Sequence, residues 1–217
     1  EIFELPKKVD EVPIFGRYVA GIDPYDDDTG TSLGSIFIYD MFTDAIVAEY
    51  TGRPKFANDF YEICRRMLLF YNAIGLYENN KKGLFTYFSQ QGCTYLLADN
   101  PESLKDQEMM RKGSYGNKAK GVHATDQINK YALRLQRDWM LSVAHINHQD
   151  VDDEGNITSE KINLQLIRSV GYIDEAIVWN QDGNFDRVSA MGMVMIMREE
   201  KKKYLDSIKD NASPANE

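Results

Sequence analysis

Apolar positions along the chain keep two rhythms. Short β-branched and aromatic runs at Tyr18–Asp23, Ser35–Asp40 and Ala45–Tyr50 are separated by turn residues, with "MFTD" between the second and third. They predict an antiparallel meander. The period then lengthens. Phe56, Phe60, Ile63, Met67 and Phe70 recur at helical spacing within Pro54–Asn72. Ala73–Tyr77 reads as a short strand running into Glu78, Lys81–Gln91 as a helix stopped by Gly92, and Thr94–Ala98 as another strand. Thr125 is placed to cap a helix reaching about Leu141, with Asp126 in its first turn. Ile128, Tyr131/Ala132, Leu135 and Trp139 form its apolar face, and Lys130, Arg134 and Arg137 form a second, basic stripe. Beyond it the pattern predicts a strand at Ser142–Ile146, an acidic hairpin tip at "QDVDDEGN" and a helix over Ser159–Val170. A strand at Tyr172–Trp179 and a turn at "NQDGN" then lead to a last helix, Asp186–Arg198, which frays into a charged tail. Three strands followed by mixed helices and strands argue for an α/β domain with a mixed sheet. The expected division is an arm over 1–16, one domain over 17–200 and a tail over 201–217.

Composition narrows the setting. The 217 residues are enough for one domain with a real core, and 43% hydrophobic with 27% charged residues is the balance of a globular protein. No apolar run is long enough to span a bilayer, so no membrane partner is expected. The chain starts at Glu1 without a signal-peptide pattern, and a fragment of a longer chain is expected. Cys64 and Cys93 cannot build a disulfide framework, and there is no C-x-x-C, so a reducing compartment fits. The net charge of −9 argues against a domain that coats DNA nonspecifically. It does not exclude an enzyme whose carboxylates bind cations.

The acids carry the chemistry. Asp28-Thr29-Gly30-Thr31-Ser32 spells the run around an aspartic protease's catalytic aspartate. That chemistry needs two carboxylates sharing a proton, and no second copy of the run exists. Tyr25, Asp26 and Asp27 before Asp28 also make a buried strand end implausible, so Asp26–Asp28 reads as a solvated turn. Asp27 or Asp28 assisting a metal is the alternative. Asp23 differs, because it ends the apolar run "YVAGI" and precedes Pro24. An acid there is partly desolvated and needs a cation or hydrogen bonds to stay ionised. Alone it also fits an Asx-turn. Glu78 ends "AIGLY" in the same way, and like charges at one sheet edge call for a divalent cation between them. Asp186, at the start of a strongly apolar helix, fits as a third acid, with N-capping as its other reading. Asp182, in the ordinary turn "QDG", is a weaker candidate.

Three runs, "YVAGIDPYDDD", "IGLYENNKKG" and "NQDGNFDRVSAMGM", resemble in that order the nuclease domain of tailed-phage terminase large subunits. "KGVHATDQINKYALRLQRDWML" is similar to that family's Gly-containing loop and following helix. The resemblance implies a ribonuclease H-like fold and a metal-dependent endonuclease cutting concatemeric viral DNA. It implies Asp23, Glu78 and Asp186 as ligands of two Mg²⁺ or Mn²⁺ ions about 4 Å apart, Asp23 bridging both. The product would carry a 5′ phosphate. It implies double-stranded DNA as substrate, with a missing N-terminal ATPase domain, the small terminase subunit and the portal as partners. The setting would be the host cytoplasm and, transiently, the procapsid portal. Residues 1–16 would be what remains of the interdomain connection. With no G-x-x-x-x-G-K-[ST] in the chain, ATP hydrolysis by this stretch alone is not expected.

An acidic protein still has to approach DNA. Lys112, Lys118 and Lys120 in the polar loop "RKGSYGNKAKG", with His123, Lys130, Arg134 and Arg137, are the candidate phosphate contacts. The other reading is a plain loop and a solvated helix face. His145 and His148 lack zinc spacing with the cysteines and read as structural or surface residues. Two other classes remain open: another ribonuclease H-like nuclease, of junction-resolvase or transposase type, and a noncatalytic interaction module on the same fold.

Overall fold

A computed structural model describes residues 1–26, 30–105, 120–180 and 183–212. The strands are β1 (Lys8–Val9), β2 (Val12–Pro13), β3 (Tyr18–Asp23), β4 (Gly34–Asp40) and β5 (Ala45–Gly52). Helix α1 (Ala57–Tyr71) leads to β6 (Ile74–Tyr77), α2 (Gly83–Gln90) and the single turn α3 (Glu102–Lys105). The long α4 (Asp126–Leu141) precedes the small hairpin β7 (Asp150–Val151) and β8 (Ile157–Ser159), then α5 (Val170–Val178) and α6 (Asp186–Ala212).

The main sheet has the order β5-β4-β3-β6. β3 pairs antiparallel with β4 and parallel with β6, so the expected meander is followed by a helical crossover to the far side of β3. This is the mixed α/β arrangement, an antiparallel meander plus a parallel strand flanked by helices, that the sequence predicted. β3 and β4 are buried at every residue because both sheet faces are covered. The strand period of two sorts their side chains. Ala20, Ile22, Ile36 and Ile38 meet Phe60, Cys64 and Leu68 of α1 and Leu84 and Phe88 of α2. Val19, Phe37 and Tyr39 meet Trp139 of α4 and Met191 and Val194 of α6.

Gly21 decides how close α6 lies. A Cβ built there would stand 2.1 Å from the Ala190 carbonyl oxygen and 2.5 Å from the Val194 nitrogen. The helix therefore rests on the strand backbone itself, which only a residue without a side chain permits. The far end of the contact is pinned by a charge pair. Asp44, in the β4–β5 turn with φ of 56°, accepts from Arg198 Nε and Nη2, both at 2.6 Å.

Several local expectations differ from the structure. Tyr172–Trp179 is helix, not strand: Ser169 caps it by accepting the Tyr172 N–H, and Tyr172, Ala176 and Trp179 face the core at spacings of four and three. A short apolar run carries both periods, and packing chose the longer. Thr94–Ala98 is a 3₁₀ turn over Thr94–Leu96 with one bridge from Leu97 to Gly75. No strand extends there because the open edge of β6 is shared. Ala98 donates to the Gly75 oxygen and Val122 to the Tyr77 oxygen. Ser142–Ile146 forms the bridge Val143 to Ile162 and runs into a 3₁₀ turn at Ile146–His148, and Ser159–Val170 contributes the end of β8, a 3₁₀ turn at Asn163–Leu166 and the first residue of α5. The last helix continues past Arg198 to Ala212. The 1–16 arm is tied to the fold, with Ile2 bridging Ala48 on the outer edge of β5 and the Tyr71 hydroxyl donating to the Glu4 oxygen at 2.6 Å.

Candidate active site

Parallel pairing sets the first two acids. Ile22 of β3 and Tyr77 of β6 are register partners, so Asp23 and Glu78 leave neighbouring strands side by side. The Glu78 N–H donates to the Ile22 oxygen at 3.1 Å, which holds the two strand ends together. Asp186 is the first residue of α6, and the close seating of that helix on Gly21 brings its N-terminus over the same sheet end. Its carboxylate accepts from the Leu33 N–H at 3.1 Å and from Asn184 Nδ2 at 3.1 and 3.2 Å.

Asp23 and Asp186 are buried, and Glu78 is half-buried. Burial pushes the Asp23 carboxyl well above the usual carboxylate range, and the charges of Glu78 and Asp186 push it further. Lys81 and a hydrogen bond from Ser189 act the other way. Burial likewise raises Glu78, with Lys81 opposing and Asp186 adding to the rise. Asp186 is raised by burial against the opposing hydrogen bonds from Leu33 and Asn184. Three mutually repelling, desolvated carboxylates favour any cation that enters among them.

The loops around the acids are fixed by hydrogen bonds. Asp26 is exposed as expected, but it is not a free turn residue. It accepts the Lys82 N–H at 2.7 Å, the Gly83 N–H at 3.1 Å and the Tyr61 hydroxyl at 2.7 Å. It thereby serves the free N–H groups at the start of α2 from a distant part of the chain. The asparagines after Glu78 clamp the segment leading to α4. Asn79 Nδ2 donates to the Lys120 oxygen at 2.9 Å and Asn80 Nδ2 to the Ala124 oxygen at 3.1 Å. Val122 bridges Glu78 in parallel, so the exposed His123 stands next to the acidic edge. Lys81 Nζ donates to the Pro24 oxygen at 3.2 Å.

Donor chemistry fits a hard divalent cation, since the convergent groups are carboxylates. Among the described residues, however, no three His, Cys, Asp or Glu side chains are already gathered in a group that could hold a metal ion. Asp27, Asp28 and Asp182 lie outside the described residues, as do Lys112 and Lys118. Lys120 is tied down, its Nζ donating to the Leu97 oxygen at 2.7 Å and pairing with Asp99 at 3.0 Å. Lys130, Arg134 and Arg137 are exposed along α4, whose opposite face buries Ile128, Tyr131, Ala132 and Trp139 as expected. Thr125 caps that helix, accepting the Ile128 N–H at 3.3 Å. His145 accepts the Asn147 N–H and His148 contacts the Thr43 oxygen, both structural arrangements. Lys81, Ser189 and Asn184 carried no role in the sequence reading. All three stand inside the runs that carry the family resemblance, within three residues of Glu78 or Asp186, and that proximity was the available signal.

No family model matches the chain, and no curated protein matches it. Among solved structures, the large terminase nuclease from thermophilic phage G20c with bound magnesium aligns over 89% of this chain and 85% of that one, at 14% identity and a TM-score of 0.42. A second structure of that nuclease aligns over 88% of this chain and 91% of that one, at 14% identity and a TM-score of 0.38. Among the described residues, no helix is long and apolar enough to cross a membrane.

Proposed function

We propose that this chain is a metal-dependent DNA endonuclease, the nuclease domain of a tailed-phage terminase large subunit. The observation that carries the reading is the meeting of Asp23, Glu78 and Asp186 at one end of a mixed sheet, each within reach of another's charge. The sequence runs around all three acids support the same assignment.

Asp23, Glu78 and Asp186 would hold two Mg²⁺ or Mn²⁺ ions, which supply an activated water and a stabilised leaving 3′ oxygen for phosphodiester hydrolysis. The protein's own part is placement. The Ile22–Tyr77 register sets the spacing of Asp23 and Glu78. Leu33 and Asn184 aim the Asp186 carboxylate, and the packing of α6 on Gly21 sets its height above the sheet. His123, beside Glu78, and the Lys130, Arg134 and Arg137 stripe are the phosphate-contacting groups in this reading. Lys112 and Lys118 would extend that rim, and Asp27, Asp28 or Asp182 would assist a metal. The substrate would be concatemeric double-stranded DNA in the host cytoplasm. An ATPase domain, a small terminase subunit and the portal would supply site choice and processivity.

A noncatalytic module on the same fold is the second reading. The observation that favours it is that the acids do not already stand as a metal-holding group among the described residues. Incubation of the domain with supercoiled and linear DNA in Mn²⁺, Mg²⁺ or EDTA separates the two. Nicking and cutting with little sequence preference, dependent on metal, is the expected result. Robust cleavage in EDTA, or none with either metal at high protein concentration, counts against the nuclease.

A further inference from the structure

Among the described residues, Lys81 is a cation whose charge acts on Asp23, Glu78 and Asp186 alike. Its ammonium is anchored on the Pro24 oxygen at 3.2 Å, directly after Asp23, and its backbone lies three residues after Glu78. The root of the side chain is held as well, because Asp26 accepts the N–H groups of Lys82 and Gly83 that follow it. A fixed root with a four-carbon flexible stem lets the charge move while the turn does not.

We propose that Lys81 is a built-in counter-cation of the acidic centre, which a divalent metal displaces and which then contacts a non-bridging oxygen of the substrate phosphate. The inference rests on the metal-dependent reading above. The physical reason is charge exclusion. An ammonium and a divalent ion repel each other inside one set of carboxylates, and the ion carries the larger charge. Metal entry therefore weakens the attraction that keeps Lys81 inward. The phosphate that arrives with DNA then offers a new counter-anion, and Lys81 is half-buried on a flexible stem that can turn toward it.

The test compares the wild-type domain with K81M and K81R. Mn²⁺ affinity is measured by calorimetry without DNA, and duplex binding by anisotropy across a salt series in Ca²⁺. K81M is expected to bind Mn²⁺ at least about threefold more tightly, because a competing charge is gone. Its log–log salt slope for DNA is expected to fall by about 0.9, the share of a single phosphate. K81R, which keeps the charge, should restore the slope. If K81M fails to fold, K81Q replaces it. Unchanged or weaker Mn²⁺ binding in K81M, or an unchanged salt slope, overturns the proposal and leaves Lys81 as an anchor for Pro24. Absence of Mn²⁺ binding by the wild type overturns the metal reading and this one together, whereas binding by the wild type with an unaltered K81M overturns Lys81's role alone.

Discussion

Asp23 and Glu78 emerge from parallel neighbouring strands one residue after the register pair Ile22 and Tyr77, and the Glu78 N–H closes the gap by donating to the Ile22 oxygen. Two acids brought together in this way repel each other, and Asp186 adds to the repulsion. The arrangement is a local cost to the fold that a cation bound among the acids would relieve.

Replacing Glu78 with Gln removes one charge and nearly keeps the shape. The metal-free protein should be as stable as before or more stable, by about 1 kcal/mol at most, the usual scale of a stabilising single change. The rise in Tm on adding Mn²⁺ should shrink, since binding to the native state stabilises by mass action. Plasmid cleavage should disappear. Asp186→Asn should behave alike, because Asn removes the charge, nearly keeps the shape and keeps one oxygen to accept from Leu33 or Asn184. Asp28→Asn should keep most activity. Thermal melts with and without Mn²⁺, paired with plasmid assays, check all three. Normal cutting by E78Q together with a much lower metal-free Tm would make Glu78 structural.

Gly21→Ala should be among the costliest single-methyl changes in the chain. The added Cβ meets the Ala190 oxygen at 2.1 Å, and both partners are backbone, so the helix must lift. A loss of about 1–3 kcal/mol is the scale for overpacking a core. Lifting α6 also carries Asp186 away from Asp23, so metal affinity should fall even where the variant remains folded. Denaturant melts and a Mn²⁺ titration measure the two effects separately. A variant with wild-type stability would mean that α6 does not rest on the strand backbone.

Ionisation of Asp44 should matter to acid stability. Burial works against its charge, but the hydrogen bonds and charge of Arg198 prevail and hold the carboxyl below its usual value. A carboxyl with a folded pKa below its unfolded one stabilises above the ordinary carboxylate range. That contribution is lost as pH falls through the folded value. Arg198→Met removes the main partner of the half-buried Asp44, which keeps the Tyr39 hydroxyl and Lys202. It should cost about 1–3 kcal/mol near neutral pH, the scale for losing a charged hydrogen-bond partner. It should also reduce the stability that the protein loses on acidification. Urea melts from neutral pH into the acid range check this, and parallel pH curves for the two proteins would refute it.

The basic stripe on α4 gives a salt-dependence test. Changing Lys130, Arg134 and Arg137 together to Ala should weaken DNA binding and lower the log–log salt slope by about 0.9 for each phosphate no longer neutralised. Mn²⁺ affinity should stay the same, because none of the three lies among the acids. Arg134 also lies 5.2 Å over the Tyr131 ring, so a small loss of stability should accompany the change. An unchanged slope would assign the stripe to solvated surface.

The chain's own pattern determined the meander, the first long helix, the Thr125-capped helix and the acids that end apolar runs. In these segments local propensity and burial agree, since strands covered on both faces read as unbroken apolar runs and amphipathic helices show their period. Asp23 and Glu78 were legible for that reason, each being the first charge after a buried run. Tertiary structure decided what no local pattern could carry. Tyr172–Trp179 has the composition of a strand, and only the packing of Tyr172, Ala176 and Trp179 against the core makes it a helix. Thr94–Ala98 could not become a full strand, because the edge it would occupy is shared with Val122, far along the chain. Asp26 looked like one acid in a solvated run, yet it serves the start of α2 through hydrogen bonds spanning more than fifty residues. Lys81 looked like ordinary charge in a turn. Its place beside three acids depends on the β3–β6 register and the seating of α6 on Gly21, both of them contacts between segments distant in sequence.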